Sequence, residues 1–455
     1  MTRILYWNIE NFSINKIENL SMAVEPGFGG LTENAASDNR RLIILTTLLN
    51  TDPDIFVLVE VSSAPTGVSR SLISATGGAL ACRYLLRQMQ INCAADWCLV
   101  PPQVVGTAGA SEGVAVFYRS GRTAATPLFF TGPDLWLGAI AGPAGVSVPY
   151  ADPWDEAFHP AGAASRVVPA AAGVGGDLRE DRLAGRVLPL PAPGALRVPG
   201  DWVRFRQPYY CSFYEGATNR NISIFAMHCP PDPGYAQDVM FAAAPIIAGQ
   251  PALANETRVV VADFNVNLID PDDGDDLMTY HDFRALNYQP LLTMPAAFPG
   301  APASLPAYIG YATTHIRRNP VFLSSAAAPQ FYPAFGYRGA EIGDGFSIDN
   351  ILVHPHVAAH DYHFTVVNPI VGNPYAVVPG LAGTVPGAAG VAGATPIATP
   401  SFFNNPPANY PWAPVGGATG QSPPHDIGLR NTLLGWNNYG RLRSTSDHLP
   451  LFAEV

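Results

Sequence analysis

The sequence has very little lysine, few charged residues and no long apolar run. Lys16 is the only lysine among 25 basic residues, and charged residues make up 13% of the 455 positions, against about 25% in typical soluble domains. The net charge of −11 argues against a broad basic surface for nucleic acid, because such binding depends largely on neutralising phosphates with lysine and arginine. Phosphate chemistry would therefore have to be local or assisted by a metal ion.

Cysteine is also sparse, and its spacing excludes two common roles. The five cysteines, Cys82, Cys93, Cys98, Cys211 and Cys229, lack the CxxC spacing of a zinc site and are a poor basis for a disulfide framework. The sequence also contains neither the apolar run of a membrane span nor the features of a secretory signal. We therefore expect no stable membrane insertion and no signal peptide, and a protein that is cytoplasmic or exported by a non-Sec route.

Glycine and proline, by contrast, are abundant. The 43 glycines and 45 prolines approach a fifth of the chain, which predicts many turns and long irregular connections. Three stretches, about 138–200, 295–342 and 370–430, lack helical or alternating periodicity, and we predict that they are loop insertions in a single domain spanning residues 1–455. They are either surface padding or the rim of a substrate cleft or partner surface.

Short apolar runs rich in valine, isoleucine and phenylalanine recur between these stretches and predict strands. The runs are Arg3–Trp7, Ile55–Glu60, Val114–Tyr118, Ile222–Met227, Val259–Ala262 and Ile348–Val353. Helical spacing predicts a helix over Leu42–Leu49 and another over Ala236–Ala248. The alternation of strands and helices favours a layered α/β architecture.

Polar side chains lie at the ends of most of these runs. They are Asn8 and Glu10, Glu60, His228, Asp263 and Asn265, Asp349, and the C-terminal Asp447 and His448. A single strand-end aspartate is more often a turn or helix cap, but an ordered set of this kind is harder to explain that way. It offers hard oxygen ligands for Mg²⁺ or Mn²⁺, two imidazoles, and carboxylates to orient them. Such a set suits metal-assisted phosphoryl transfer.

The order of these motifs resembles the endonuclease/exonuclease/phosphatase superfamily, which has the deoxyribonuclease I-like fold. The motifs are Trp7-Asn8-Ile9-Glu10, Leu58-Val59-Glu60-Val61, Met227-His228, Ala262-Asp263-Phe264-Asn265, Ile348-Asp349-Asn350-Ile351 and Ser446-Asp447-His448. The resemblance covers roughly residues 1–120, 202–290, 343–366 and 440–455. It implies an α/β (α+β) fold, a four-layered α/β/β/α sandwich with two mostly antiparallel sheets packed face to face and a metal-binding cleft at one end.

The resemblance also implies the metal ligands. Glu60 is similar to the principal ligand of Mg²⁺ or Mn²⁺ in the family, assisted by Asn8 and Glu10. Asp447 would lie close enough to ligate or support a metal ion.

It likewise implies the catalytic roles. Asp263 would orient or deprotonate the attacking water, and Asn265 would donate a hydrogen bond to the phosphate. His448, fixed by Asp349, would contact the scissile phosphate. His228 would be the second imidazole, stabilising charge or serving the leaving oxygen.

Two further segments resemble parts of the family site. Ser111-Glu112-Gly113 begins a strand from which family nucleases supply a carboxylate partner to the second histidine, so Glu112 would pair with His228; the alternative is a solvent-facing strand start. The segment 204–208 resembles one that places an arginine on a phosphate. We favour Arg206 over Arg204, and a structural salt bridge is the alternative.

Two departures from the family pattern bear on the substrate. Deoxyribonuclease I-type enzymes carry a minor-groove arginine and tyrosine where this chain has Ser62 and Ala110, which puts duplex-groove recognition by that route in doubt.

We therefore expect a divalent-metal-dependent phosphodiesterase, an endonuclease acting on DNA or RNA. The alternatives are a phosphatase or phosphodiesterase of the same superfamily for a sphingolipid, an inositol phosphate or a small nucleotide, and a non-catalytic binding protein. An endonuclease could steer its nucleic acid substrate with a local set of arginines, Arg204, Arg206, Arg317 and Arg318.

Overall fold

The protein is represented by a computed structural model. The structure describes residues 1–18, 33–63, 77–106, 110–121, 127–135, 139–141, 147–149, 167–169, 178–180, 183–190, 205–231, 233–266, 268, 279–292, 313, 348–355, 362–367 and 445–455. Most of the three predicted insertions, and with them Arg204, Arg317 and Arg318, lie outside the described residues, so the single-domain boundaries stay a prediction.

Seventeen strands and five helices are assigned within the described ranges. The strands are β1 (Arg3–Phe12), β2 (Ile55–Val61), β3 (Trp97–Val105), β4 (Glu112–Arg119), β5 (Leu128–Gly132), β6 (Asp134–Leu135), β7 (Ala139–Ala141), β8 (Ser147–Pro149), β9 (Leu183–Ala184), β10 (Arg186–Val187), β11 (Tyr209–Glu215), β12 (Arg220–His228), β13 (Glu256–Asp263), β14 (Gln289–Pro290), β15 (Asp349–His354), β16 (His363–Val366) and β17 (Leu451–Glu454). The helices are α1 (Ile14–Ile17), α2 (Glu33–Thr51), α3 (Gly77–Asn92), α4 (Pro233–Ala248) and α5 (His281–Arg284).

Two large sheets contain most of these strands. The first has the order β16-β17-β1-β2-β4-β3, and the second has the order β10-β11-β12-β13-β15-β14, with β5 pairing with β11. Neighbours in both sheets are antiparallel except for one central parallel pair in each, β1 with β2 and β12 with β13. The mostly antiparallel arrangement predicted from the family resemblance is confirmed.

The two sheets pack face to face, and helices lie outside them. Tyr118 of β4 contacts Phe213 of β11 with ring centroids 5.3 Å apart. Helix α3 packs on β3 and β4 of the first sheet. On the second sheet, the Arg258 side chain of β13 donates 3.0 Å hydrogen bonds to the carbonyls of Ile247 and Ala248 at the end of α4. The result is the four-layered sandwich of the deoxyribonuclease I-like fold.

The central strands are buried because each has a sheet on one side and helices on the other. Every residue from Ile4 to Ile9 is buried in β1, although Asn8 is polar. All five cysteines are free. Among the described residues, no helix is both long enough and apolar enough to cross a bilayer.

All six predicted strands are present, and both predicted helices extend beyond their predicted bounds. Helix α2 covers Glu33–Thr51, where the periodicity indicated only Leu42–Leu49. Helix α4 begins at Pro233, a residue suited to a first helical turn because its missing N–H has no helical partner there.

Candidate active site

The second sheet places three of the candidate residues in one row across neighbouring strands. His228 is opposite Asp263 in the register of β12 with β13, and Asp263 is opposite Asp349 in the register of β13 with β15. Side chains in register on adjacent strands lie side by side on the same face. An imidazole and two carboxylates therefore meet at one end of this sheet.

The first sheet brings its candidates to the same end through irregular backbone. The pairing of β1 with β2 shifts register between Asn8 and Phe12. Glu10 (φ 43°), Asn11 (φ 53°) and Glu60 (φ 57°) all adopt left-handed backbone, which is uncommon for residues other than glycine. Such strain persists where surrounding contacts hold it and clusters at functional sites.

Asn8 joins the two sheets at the centre of the site. Its side-chain Nδ2 donates to Glu60 Oε1 and to Asp263 Oδ2, both at 3.1 Å. The same atom lies 3.5 Å from His448 Nε2. Because Asn8 is fully buried, these contacts fix the separation of the two carboxylates.

One histidine is oriented by a carboxylate of the opposite sheet. His228 Nδ1 lies 2.9 Å from Glu112 Oε2, and Arg206 Nε lies 2.7 Å from the same oxygen. With Nδ1 held by Glu112, the other ring nitrogen faces the site, 3.6 Å from Glu60 Oε1 and 3.5 Å from Asp263 Oδ2.

The second histidine is held in the same manner. His448 Nδ1 lies 2.8 Å from Asp349 Oδ2, and its Nε2 lies 3.7 Å from Asp263 Oδ2. Thr313 donates its hydroxyl to Asp349 Oδ2 at 2.8 Å. Asp263 Oδ2 thus lies between the free nitrogens of two oriented imidazoles.

The pKa values of Asp263 and His448 are both raised, but for different reasons. Burial raises the pKa of Asp263 to about 7, and the charge of Asp349 adds to the effect. Burial alone would lower the pKa of His448, but Asp349 and Asp263 outweigh it and raise that pKa well above its usual value. Around neutral pH the site therefore contains a carboxyl near its midpoint of titration beside a protonated imidazole.

The pKa values of Glu60 and His228 are shifted for similar reasons. Burial alone would raise the pKa of Glu60, but the charges of His228 and His448 and the Asn8 amide lower it overall. Burial opposes protonation of His228, yet Glu112 raises the pKa of that ring.

A family model matches most of the sequence. The family model described as the Endonuclease/Exonuclease/phosphatase family matches residues 5–370 of the chain. The chain belongs to the Endonuclease/Exonuclease/phosphatase family. It is thus a hydrolase of phosphoester bonds with the deoxyribonuclease I-like fold. No curated protein matches the sequence.

The solved structures that the chain matches are distant in sequence. The human Nocturnin catalytic domain with bound sulfate is 12% identical, with a TM-score of 0.36, and the match covers 80% of this chain and 84% of that one. D. rerio TDP2 complexed with a single-strand DNA product is 9% identical, with a TM-score of 0.37 and coverage of 99% and 97%. A Bacteroides thetaiotaomicron mannosyl-6-phosphatase is 11% identical, with a TM-score of 0.34 and coverage of 100% and 99%. Matches this distant identify no substrate.

The residues of this family member fit a divalent cation. Two groups offer ligand atoms within 4.8 Å of one another, Glu60 with His228 and Asp263, and Asp263 with Asp349 and His448. Carboxylate oxygens are the preferred ligands of Mg²⁺ and Mn²⁺. A cation would also relieve the mutual repulsion of the carboxylates, which contributes to the raised pKa of Asp263.

Three predicted residues have contacts that leave their roles as predictions. Glu10 donates its backbone N–H to Asn8 Oδ1 at 3.2 Å, and Asp447 Oδ1 lies 3.8 Å from His448 Nε2. Asn265 donates its side-chain amide to the carbonyl of Cys229 at 2.8 Å. Neither Glu10 nor Asp447 belongs to the two groups of described residues whose ligand atoms converge, so their metal-binding roles stay predictions.

Two residues that support the site could not be identified from the sequence. Thr313 lies inside a predicted insertion, yet it is fully buried against Asp349. Lys16 is buried beneath the left-handed backbone of β1. Both act through contacts distant along the chain or through a short helix, which hydrophobic periodicity does not reveal.

Proposed function

We propose that this protein is a divalent-metal-dependent endonuclease that hydrolyses phosphodiester bonds of DNA or RNA. The observation that carries the proposal is the position of Asp263 between two imidazoles, each oriented by its own carboxylate. This arrangement offers separate groups for the water, the scissile phosphate and the leaving oxygen of one phosphodiester.

In this mechanism Asn8, Glu10, Glu60 and Asp447 would hold Mg²⁺ or Mn²⁺, which neutralises charge on the phosphate oxygens when bound. Asp263 orients the attacking water and accepts its proton, a role suited to a buried carboxylate that lies between two oriented imidazoles. Protonated His448 donates a hydrogen bond to the phosphate, and Asn265 supplies a second donor. His228, charged through its contact with Glu112, delivers a proton to the leaving oxygen.

A nucleic acid substrate is supported by groups beside this centre. Arg206 lies against Glu112 and could contact a phosphate next to the scissile one. The preceding residue, Phe205, packs against Tyr235 with ring centroids 5.7 Å apart, and Tyr235 is 39% exposed. An exposed tyrosine ring beside an arginine that could contact phosphate is suited to stacking on a base of a single strand.

One observation favours the alternative substrate class, a phosphorylated lipid, an inositol phosphate or a small nucleotide. Ser62 and Ala110 stand where deoxyribonuclease I-type enzymes carry their groove-binding arginine and tyrosine. A chain with net charge −11 also holds long nucleic acids poorly unless a local basic group compensates.

The test is nicking of supercoiled plasmid by the purified protein with Mg²⁺ or Mn²⁺, alongside single-stranded DNA, RNA, an inositol phosphate and sphingomyelin vesicles. Asp263→Ala and His448→Ala serve as inactive controls against contaminating nucleases, and Asp52→Asn, at the opposite end of the sandwich, as an active control. Cleavage of a nucleic acid that needs metal and is lost in both alanine variants supports the proposal. Hydrolysis of only the lipid or the inositol phosphate would contradict the proposal and favour the alternative substrate class.

A further inference from the structure

Lys16 is exceptional in both composition and position. The other 24 of the 25 basic residues are arginines, yet this one buried site, 4% exposed, has the compact ammonium group. Lysine places a small point charge with three donors at the end of a flexible stem, whereas arginine needs room for a planar fork. The buried position of this single lysine suits a compact ammonium group that donates to neighbouring backbone carbonyls.

The ammonium group contacts the backbone that presents the predicted metal ligands. Lys16 Nζ donates to the carbonyl of Ile9 at 2.6 Å and to the carbonyl of Glu10. Both carbonyls belong to the part of β1 that shifts register between Asn8 and Phe12, where Glu10 and Asn11 are left-handed. The backbone N–H of Asn11 then reaches Glu60 Oε2 at 3.2 Å.

The helix carrying this lysine is itself anchored from outside. Arg40 of α2 donates to the carbonyl of Lys16, and Arg41 donates to the carbonyl of Ile17, both at 3.4 Å. Hydrogen bonds therefore link α2 to α1, and α1 to the irregular end of β1. The carboxylates that act electrostatically on the ammonium group are those of Glu10, Asp447 and Glu60, which are the three carboxylates predicted as metal ligands.

We propose that Lys16 is a positioning residue of the metal centre, which holds the left-handed Glu10–Asn11 segment so that Glu10 and Glu60 converge on one divalent cation. This inference rests on the proposed metal-dependent function and adds to it a residue that does not touch substrate. Residues that orient metal ligands in this way alter metal affinity by about 10–100-fold when they are replaced.

The direction in which cation affinity changes when Lys16 is replaced distinguishes a positioning role from a purely electrostatic one. Removing a positive charge beside a cation site would tighten cation binding if charge alone mattered. If Lys16 maintains the ligand geometry, its removal must instead weaken binding. The two roles therefore predict opposite changes for the same substitution.

The first experiment measures Mn²⁺ binding by electron paramagnetic resonance of the free ion. The samples are the wild-type chain, Lys16→Met and Arg87→Met, the last removing one charge at an exposed position of α3. We expect the dissociation constant of Lys16→Met to rise about tenfold and that of Arg87→Met to stay at the wild-type value. An unchanged or lower constant for Lys16→Met overturns the inference and leaves the proposed function intact, whereas a wild-type chain that binds no Mn²⁺ overturns both.

A second measurement uses the wild-type fold and so does not depend on Lys16→Met being stable. Biosynthetic labelling with ¹³C-lysine gives signals from a single side chain, because the chain contains one lysine. We expect stoichiometric Mn²⁺ to broaden the Lys16 signals strongly, and Glu60→Gln to abolish this broadening. Sharp lysine signals in a wild-type sample that has bound Mn²⁺ would place the ion elsewhere and overturn the inference.

Discussion

The two ends of the sandwich both carry carboxylates, but these carboxylates have different partners. The histidine end consists of Asn8, Glu60, Glu112, His228, Asp263, Asp349 and His448. The arginine end consists of Arg3, Asp52, Asp54, Asp96 and Arg119, at the other end of strands β1, β2 and β4. Both ends place carboxylates at the ends of buried strands, and they differ in what neutralises them.

At the arginine end, each cation is matched to acidic partners. Asp52 lies 2.7 Å from Arg3 and 2.9 Å from Arg119, and Arg119 also lies 3.1 Å from Asp96. At the histidine end, Asp263 is surrounded by titratable rings and other carboxylates, and its pKa rises accordingly. Asp263 and Asp349 lie beside imidazoles in place of arginines, whereas Glu112 lies 2.7 Å from Arg206.

A cavity opens at the arginine end, away from the candidate active site. A pocket of about 410 Å³ opens at the arginine end and is lined by Arg3, Asp54, Arg119 and Glu215 among others. Asp54 lies 3.9 Å from Arg3, and Glu215 lies 3.3 Å from Arg220. No pair of oriented imidazoles faces this pocket among the residues that the structure describes. The oriented imidazoles, and not the presence of a cavity, therefore distinguish the histidine end.

The largest contrast should come from His448→Ala and Asp52→Asn. We expect His448→Ala to lower phosphodiester hydrolysis by about 10²–10⁴-fold, the usual contribution of a positioned acid or base. Asp52→Asn should hydrolyse at the wild-type rate, because asparagine tolerates the left-handed backbone (φ 44°) of that position. Initial rates at saturating Mg²⁺ test the pair, and equal losses in both would remove the distinction between the ends.

Glu112→Gln should give a smaller loss, since the imidazole remains but its charge and orientation weaken. We expect roughly tenfold slower turnover, below the 10²–10⁴-fold of losing a catalytic imidazole outright, and a lower pKa in the pH–rate profile. The matched control is Asp134→Asn. It removes the carboxylate partner of Arg186, in an ion pair that is more exposed than the pair of Glu112 with Arg206. A pH profile unchanged by Glu112→Gln would show that His228 does not depend on this carboxylate.

Asp263→Asn should stabilise the metal-free protein while it inactivates the enzyme. Because the folded-state pKa of Asp263 is raised from 3.8 to about 7, the folded state binds more protons than the unfolded state between these values. Stability from this group is therefore lost as the pH rises through that window. We expect Asp263→Asn to gain about 1–2 kcal/mol at pH 8 in EDTA.

Thermal unfolding of Asp263→Asn and wild type at pH 5 and pH 8 checks this sign. The advantage of the variant should shrink at the lower pH, where the wild-type carboxyl is protonated. A variant less stable than wild type at pH 8 would mean that Asp263 stabilises the fold through its hydrogen bonds more than its charge destabilises it.

The smallest expected effect is the stability change of Asp52→Asn. Its carboxylate bridges two arginines but is 46% exposed, and solvent screening limits such pairs to about 0–1 kcal/mol. Urea unfolding in low and high salt should show a small loss that salt diminishes. A loss of several kcal/mol would show that the arginine end is held together much more tightly than its exposure indicates.

Much of the histidine end could be predicted from the sequence because its residues directly follow apolar runs. His228, Asp263 and Asp349 stand at strand ends, and the structure places them in one row. Glu112 was predicted to meet His228, and the structure places them 2.9 Å apart. Their catalytic roles stay predictions until activity is measured.

The remaining features depend on information that periodicity does not carry. Strand β11 (Tyr209–Glu215) was missed, since its sequence YYCSFYE contains none of the valine and isoleucine that marked the predicted strands. Helix α3 was missed as well, since the first part of its buried face consists of small residues such as Gly78, Ala79 and Ala81, which give a weak apolar pattern. Thr313 contacts Asp349 across 36 positions, and Lys16 acts from a four-residue helix.

We expect the carboxylates of the histidine end to bind a divalent cation that stabilises the folded protein. Thermal unfolding of wild type, Glu60→Gln and Asp52→Asn, with excess Mg²⁺ or with EDTA, tests it most directly. We predict that Mg²⁺ at about 100 times its dissociation constant stabilises wild type and Asp52→Asn by about 2.7 kcal/mol, and that Glu60→Gln gains almost nothing. Equal stabilisation of all three proteins, or of none, would contradict the account.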